Sequence, residues 1–151
     1  MSEQQNKEVL NGNEQTIAIK AIYEVIESYT EDMEVNFEDL GTDGEPNLGV
    51  FSMPGSVYDK KFIDGSFEAT LSFSVVYRAS VNVDDHKFEI IEWLDKLGVW
   101  LSTRDNYPTL SDGRKVERIS QMSVPCRDII NPGYENDYIV TFQMKYRKDE
   151  E

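Results

Sequence analysis

The sequence predicts an α+β domain: a mainly antiparallel sheet of about five strands, in the order α-β-β-β-α-β-β, with two helices packed on one face. Three observations predict it. In residues 66–78, SFEATLSFSVVYR, the side chains Phe67, Ala69, Leu71, Phe73, Val75 and Tyr77 take every second position. Glu68, Thr70, Ser72, Ser74 and Arg78 stand between them with only Val76 out of step, and a period of two sends one set to each face of a strand. Residues 138–147, YIVTFQMKYR, repeat the design with Tyr138, Val140, Phe142, Met144 and Tyr146 in phase, and both strands end in Tyr-Arg. Two half-apolar strands need an apolar cover, and two segments with helical spacing supply it.

The chain has 151 residues, the length of one domain with an ordinary core. Residues 1–15 read as a flexible polar segment, 16–148 as a single α+β domain and 149–151 as a charged tail. Cys126 is the single cysteine, so no intrachain disulfide can form. No run approaches the ~18 apolar residues of a membrane span, and the polar N-terminus has no apolar signal region, so the expectation is a soluble protein without a membrane role. The net charge is −14. Residues 1–46 carry most of it, with twelve Asp/Glu against Lys7 and Lys20. Such a field repels phosphate backbones and argues against a nucleic-acid grip built on Lys and Arg.

In chain order, Ala18, Ile22, Val25, Ile26 and Tyr29 recur as one helical face. Residues 34–40 alternate Val35 and Phe37 with acids as a short strand, and GTDGEP turns the chain. Residues 47–53 form a second short strand closed by Pro54-Gly55, which suits a type II turn. The loop 55–65 carries Val57, Tyr58, Phe62 and Ile63, apolar residues in a turn-like segment that either tuck onto the sheet edge or present a contact surface.

After the long strand, Asn82, Asp84 and Asp85 offer N-cap oxygens to a helix that runs to about Leu101. Phe88, Ile91, Leu94, Leu97 and Leu101 make its core stripe. Ile90, Trp93 and Trp100 widen it, the pattern of a helix half in a core and half in an interface. From Lys115 to Ile130 the alternation of Val116, Ile119, Met122 and Val124 changes phase once, which predicts a bulge, and Pro125 marks a sheet edge. Residues 131–137 turn the chain into the last strand.

The residue types offer little chemistry. His86 is the only histidine and lies beside Asp84 and Asp85 at a helix start, where cap and solvated first turn account for all three. Zinc, calcium and nucleotide motifs are missing from the sequence. With His86 the only imidazole, Cys126 and His86 are the one Cys–His option for nucleophilic catalysis. The sequence is therefore read as a non-enzyme without cofactor or metal.

Several stretches together resemble the minor capsid, tail-completion and tail-terminator proteins of long-tailed bacteriophages. They are IAIKAIYEVIESY, FEATLSFSVVYR, IIEWLDKLGVWL, YPTLSDGRKVERISQMSVPC and YIVTFQMKYR, and the resemblance covers residues 16–148. It is a likeness of residue type and order. It implies a structural virion subunit that forms a homo-oligomeric ring, a hexamer, which caps the tail tube at its head-proximal end and joins it to the head. The implied partners are further copies of the chain, the tail-tube protein and a head-completion protein, with DNA only as passing cargo. The implied location is the virion, and the host cytoplasm during assembly. Another head-tail connector or a tail-tube subunit shares these features.

On this reading Val57, Tyr58, Phe62, Arg78, Trp93, Trp100 and Arg147 are candidates for subunit or tube interfaces. Arg78 and Arg147, on the polar phase of their strands, would meet acids of a neighbouring subunit. Glu31, Asp32, Glu34, Glu38 and Asp39 are candidates for an acidic lumen past which DNA slides without sticking. The reading from a different class is a small-ligand or peptide module, with a pocket lined by Tyr58, Phe62, Trp93 and Trp100.

Overall fold

The computed structural model describes residues 7–30, 32–42, 44–79, 87–127 and 137–149. Helix α1 (Gly12–Tyr29) is followed by strands β1 (Glu34–Phe37), β2 (Asn47–Ser52), β3 (Val57–Lys61) and β4 (Phe67–Arg78). Helix α2 (Lys87–Ser102) and a single 3-10 turn (Arg104–Asn106) lead to β5 (Arg114–Gln121), β6 (Cys126–Arg127) and β7 (Asp137–Lys148). The strands form one mixed sheet in the order β1-β2-β4-β7-β5, with β3 also on β4 and β6 also on β7. The fold is α+β, as expected.

The centre is the antiparallel pair β4 and β7, in register from Phe67 opposite Lys148 to Arg78 opposite Asp137. Each long strand is flanked by an arm broken once. Beside β4 the arm is β2 and then β3, interrupted at Pro54-Gly55, where Gly55 takes a φ of 103° that other residues rarely adopt. Ser56 repairs the break by accepting the Ser72 backbone N–H on its hydroxyl at 2.9 Å. Beside β7 the arm is β5 and then β6, interrupted before Pro125. These interruptions explain why seven strands appear where five were expected. The Pro-Gly pair lies inside an arm instead of ending it, and the single stretch from Lys115 splits in two. The expected phase change is a register shift between Val116 and Arg118, and β5 lies at the edge of the sheet path.

A second difference is at β1, which pairs parallel to β2 through Glu34 opposite Asn47 and Phe37 opposite Val50. The connection is no tight hairpin: Asp39 and Leu40 pass over Gly49 of β2 before the chain re-enters the sheet at Asn47. A Cβ at Gly49 would strike the carbonyl oxygen of Asp39 and lie 3.1 Å from Leu40, so the bare backbone of β2 makes room for the crossing. Asn47 accepts the Gly41 N–H at 2.8 Å and holds the far end.

Both helices cover the face that carries Ala69, Leu71, Phe73 and Val75 of β4 and Val140, Phe142 and Met144 of β7. Phe73 and Phe142 face each other across the ladder and stack at 5.2 Å. Helix α1 buries Ala18, Ile19, Ile22 and Ile26, and α2 buries Ile90, Leu94, Leu97 and Leu101. Tyr29 of α1 touches Trp93 and Trp100 of α2, so the helices meet over the sheet. Phe88, expected in the stripe of α2, points outward at 88% exposure because the buried row starts two residues later, at Ile90.

The N-terminal boundary also moves. Asn11 caps α1 by accepting the Glu14 N–H at 2.8 Å, and Leu10 is buried. Tyr58 N–H donates to Glu8 and Leu10 N–H to Ser56, so the chain joins the fold by residue 7 and not at 16. The expected N-cap of α2 and His86 lie outside the described residues, as does most of the turn before β7.

Candidate interaction surfaces

The loop 55–65 becomes β3 and a hairpin tip. Phe62 N–H donates to Ser66 and Gly65 N–H to Phe62, while Asp64 accepts the Ser66 N–H at 2.9 Å. A tip closed by these bonds holds Phe62 at 47% exposure and Ile63 fully in solvent. Tyr58, expected at an interface, is buried instead. The two-residue alternation of β3 turns it to the helix face, where its ring meets Phe67 edge-on at 5.1 Å and its hydroxyl accepts from Asn11. Val57 is half-buried beside Val9.

Trp93 and Trp100 are each partly buried. Trp93 stands edge-on to Tyr29 at 5.8 Å and to Tyr77 at 5.4 Å, and Trp100 leans on Tyr29 at 4.7 Å. On the outer side of α2, Val99 is exposed along with Phe88.

The two strand-end arginines differ. The Arg78 guanidinium makes a two-point pair with Asp137 at 2.9 and 3.0 Å and donates to Gly41 O at 3.1 Å. It is committed within its own chain, which corrects the expectation that it reaches a neighbour; its partner Asp137 stands opposite it in register. Arg147 is half-exposed and pairs with Asp149 at 3.2 Å. Asp32, Glu34, Glu38 and Asp39 are exposed, and Glu31 lies outside the described residues. Glu38 accepts the Ser52 N–H at 2.7 Å, and Asp39 the Leu40 N–H at 2.8 Å.

The pocket expected from Tyr58, Phe62, Trp93 and Trp100 does not form. Tyr58 sits opposite Ala69 and Trp93 rests on Tyr77, eight residues along β4 and so roughly 26 Å away. A different cleft, of ≈ 570 Å³, opens where the end of α1 meets β1, β4 and α2. Tyr29, Tyr77 and Trp93 wall it, and Asp32, Glu34 and Glu45 line it as well. Burial raises the pKa of Tyr29 and of Tyr77, so both hydroxyls stay neutral.

A buried charge cluster escaped the sequence reading. Glu14 accepts from Arg114 Nε and Nη2, both at 2.7 Å, and from the Tyr146 hydroxyl at 2.9 Å. Burial together with the Glu14 carboxylate drives the Tyr146 pKa far above its ordinary value, and the hydrogen bond to Glu14 holds that of Arg114 up. One available signal was Glu14 standing four residues before Ala18, in phase with the apolar row. Elsewhere, burial favours the neutral form of Asp59, but hydrogen bonds from Thr70 and Lys7 outweigh it and lower its pKa.

Among the described residues no helix is long and apolar enough to cross a membrane, and no three His, Cys, Asp or Glu side chains are grouped to hold a metal ion. No protein-family model matches the sequence, and no curated protein matches it. One solved structure of a protein with no descriptive name is 13% identical, with 89% of this chain and 92% of that chain covered and a TM-score of 0.45.

Proposed function

We propose that the chain is a structural subunit of a long-tailed bacteriophage virion, a tail terminator or completion protein that closes into a ring, caps the tail tube and joins it to the head. The resemblance of residues 16–148 supplies the class. The observation that carries the reading is the β3–β4 hairpin tip, which aims Phe62 and Ile63 at solvent from a closed turn. Large apolar side chains held in water on a rigid arm fit a docking element.

The sheet edges support a ring as well. The path ends in β1, next to Asp32, Glu34 and Glu38, and in β5, which carries exposed Lys115 and Arg118. Two unlike edges suit head-to-tail contacts, and such contacts close into a ring when the rotation allows. The acids near β1 remain the candidates for the lumen, and Trp100 and Arg147 for the subunit contact.

Co-sedimentation with purified tail tubes tests this. The wild-type chain pellets with tubes, and Ile63→Asp, at a residue outside the core, stays in the supernatant with its melting temperature unchanged. A wild-type chain that never pellets with tubes overturns the terminator reading. The second reading, a ligand module, is favoured by the cleft beside Trp93.

A further inference from the structure

The cleft of ≈ 570 Å³ joins two features, an aromatic wall and an acidic rim. Its wall is a cluster of three rings, with Trp93 at 66° to Tyr29 and at 70° to Tyr77. All three rings belong to the lining of the cleft. Its rim carries Asp32 and Glu34, with Glu45, which also makes an interaction of its own, and among the described residues none of its lining side chains is Lys, Arg or His.

A cation gains twice in such a place, from the ring quadrupoles and from the carboxylates, whereas an anion is repelled by both. The kind of cation follows from spacing. A metal ion needs several oxygens converging at close range, and these three carboxylates do not form such a group. They stand around an opening sized for a small organic group, over rings that favour a weakly hydrated charge.

We propose that this cleft binds an organic cation of the ammonium or guanidinium type, either a free small molecule or the side chain of a lysine or arginine on a partner protein. Its rim shares Asp32 and Glu34 with the acids that the terminator reading places at the lumen, but its test reads binding to the isolated chain, so it fails separately from that reading.

The test follows the Trp93 indole resonance at constant ionic strength while three probes are added: choline, a capped Gly-Lys-Gly peptide and a capped Gly-Arg-Gly peptide. Each has an uncharged control, dimethylbutanol for choline and Gly-Gln-Gly for the peptides. Saturable shifts with a cation, and binding at least about tenfold weaker for its control, are expected. Choline binding tighter than the peptides identifies a free small cation, and the reverse order identifies a partner's side chain. The exposed rim pair Asp32→Asn with Glu34→Gln leaves the melt unchanged and weakens the cation about tenfold. Equal binding of the neutral controls, full affinity in the rim variant, or no saturable shift with any cation overturns the proposal.

Discussion

Glu14 and Glu34 are both carboxylates beside aromatic rings, and the chain treats them in opposite ways. Glu14 lies on the buried face of α1, where an ionised group is costly unless charge and hydrogen bonds meet it. Arg114 and Tyr146 meet it there, and the paired side chains are largely buried. Glu34 lies beyond the end of α1, on the edge strand, and with Asp32 it borders the open cleft at Trp93. In the first region the sequence carries its own cation. In the second the rings and acids are present, and no cationic side chain is among the described lining residues. The difference separates a charge that fastens the fold from the charges that the proposed cation would meet.

The largest effect belongs to the closed region. Arg114→Ala leaves the Glu14 carboxylate buried without its partner and should cost about 3–5 kcal/mol in urea unfolding. Replacing both charges, Glu14→Leu with Arg114→Met, should recover most of that loss. A single variant no worse than a surface substitution would mean the cluster does not fasten α1 to the sheet.

Gly49→Ala comes next, at about 1–3 kcal/mol, because the added methyl displaces the crossing segment that leads to the cleft. Unchanged stability would show that Asp39 and Leu40 move aside freely.

The alkaline limb sharpens the contrast by titration. Tyr146 holds its proton more tightly folded than unfolded, so its contribution is complete below the ordinary tyrosine pKa of about 10 and is lost as pH rises above it. Each such group gives a slope of at most ~1.4 kcal/mol per pH unit. Tyr146→Phe should flatten the fall of stability above about pH 10, leaving the smaller share of Tyr29 and Tyr77. An identical alkaline limb in wild type and variant would contradict the role given to burial and Glu14.

The smallest effect is at the open region, where Asp32→Asn with Glu34→Gln should change stability by no more than about 0.5 kcal/mol. A loss as large as that of Arg114→Ala would erase the distinction between the two regions.

The long strands and the helix rows were legible because burial imposes a period on them: Phe73 and Phe142 announce β4 and β7 by alternation alone. Boundaries set by single contacts were not. Asn11 caps α1 through one hydrogen bond, and the polar run around it resembles a frayed end. Pro54-Gly55 reads as a chain reversal, although Ser56 turns it into a bulge within an arm by supplying one acceptor. The parallel pairing of β1 depends on Gly49 having no side chain beneath Asp39, a fact of tertiary approach.

Among site residues, Phe62 is where its exposed apolar type suggests. Tyr58 is not, since a single register position in β3 sends it to the opposite face. Partnerships across the sheet, Arg78 with Asp137 and Glu14 with Arg114, need the strand register before they can be seen. The cleft needs three elements at once, and no stretch of sequence holds Tyr29, Tyr77 and Trp93 together.

The most direct measurement is the mass of the purified chain in solution, by light scattering across a wide range of concentration and salt. A ring subunit gives a closed hexamer at high concentration, or a monomer that becomes one when tail tubes are added, and Ile63→Asp blocks its capture by tubes. A monomer at every concentration, indifferent to tubes, contradicts the ring and sends the search for function to the cleft at Trp93.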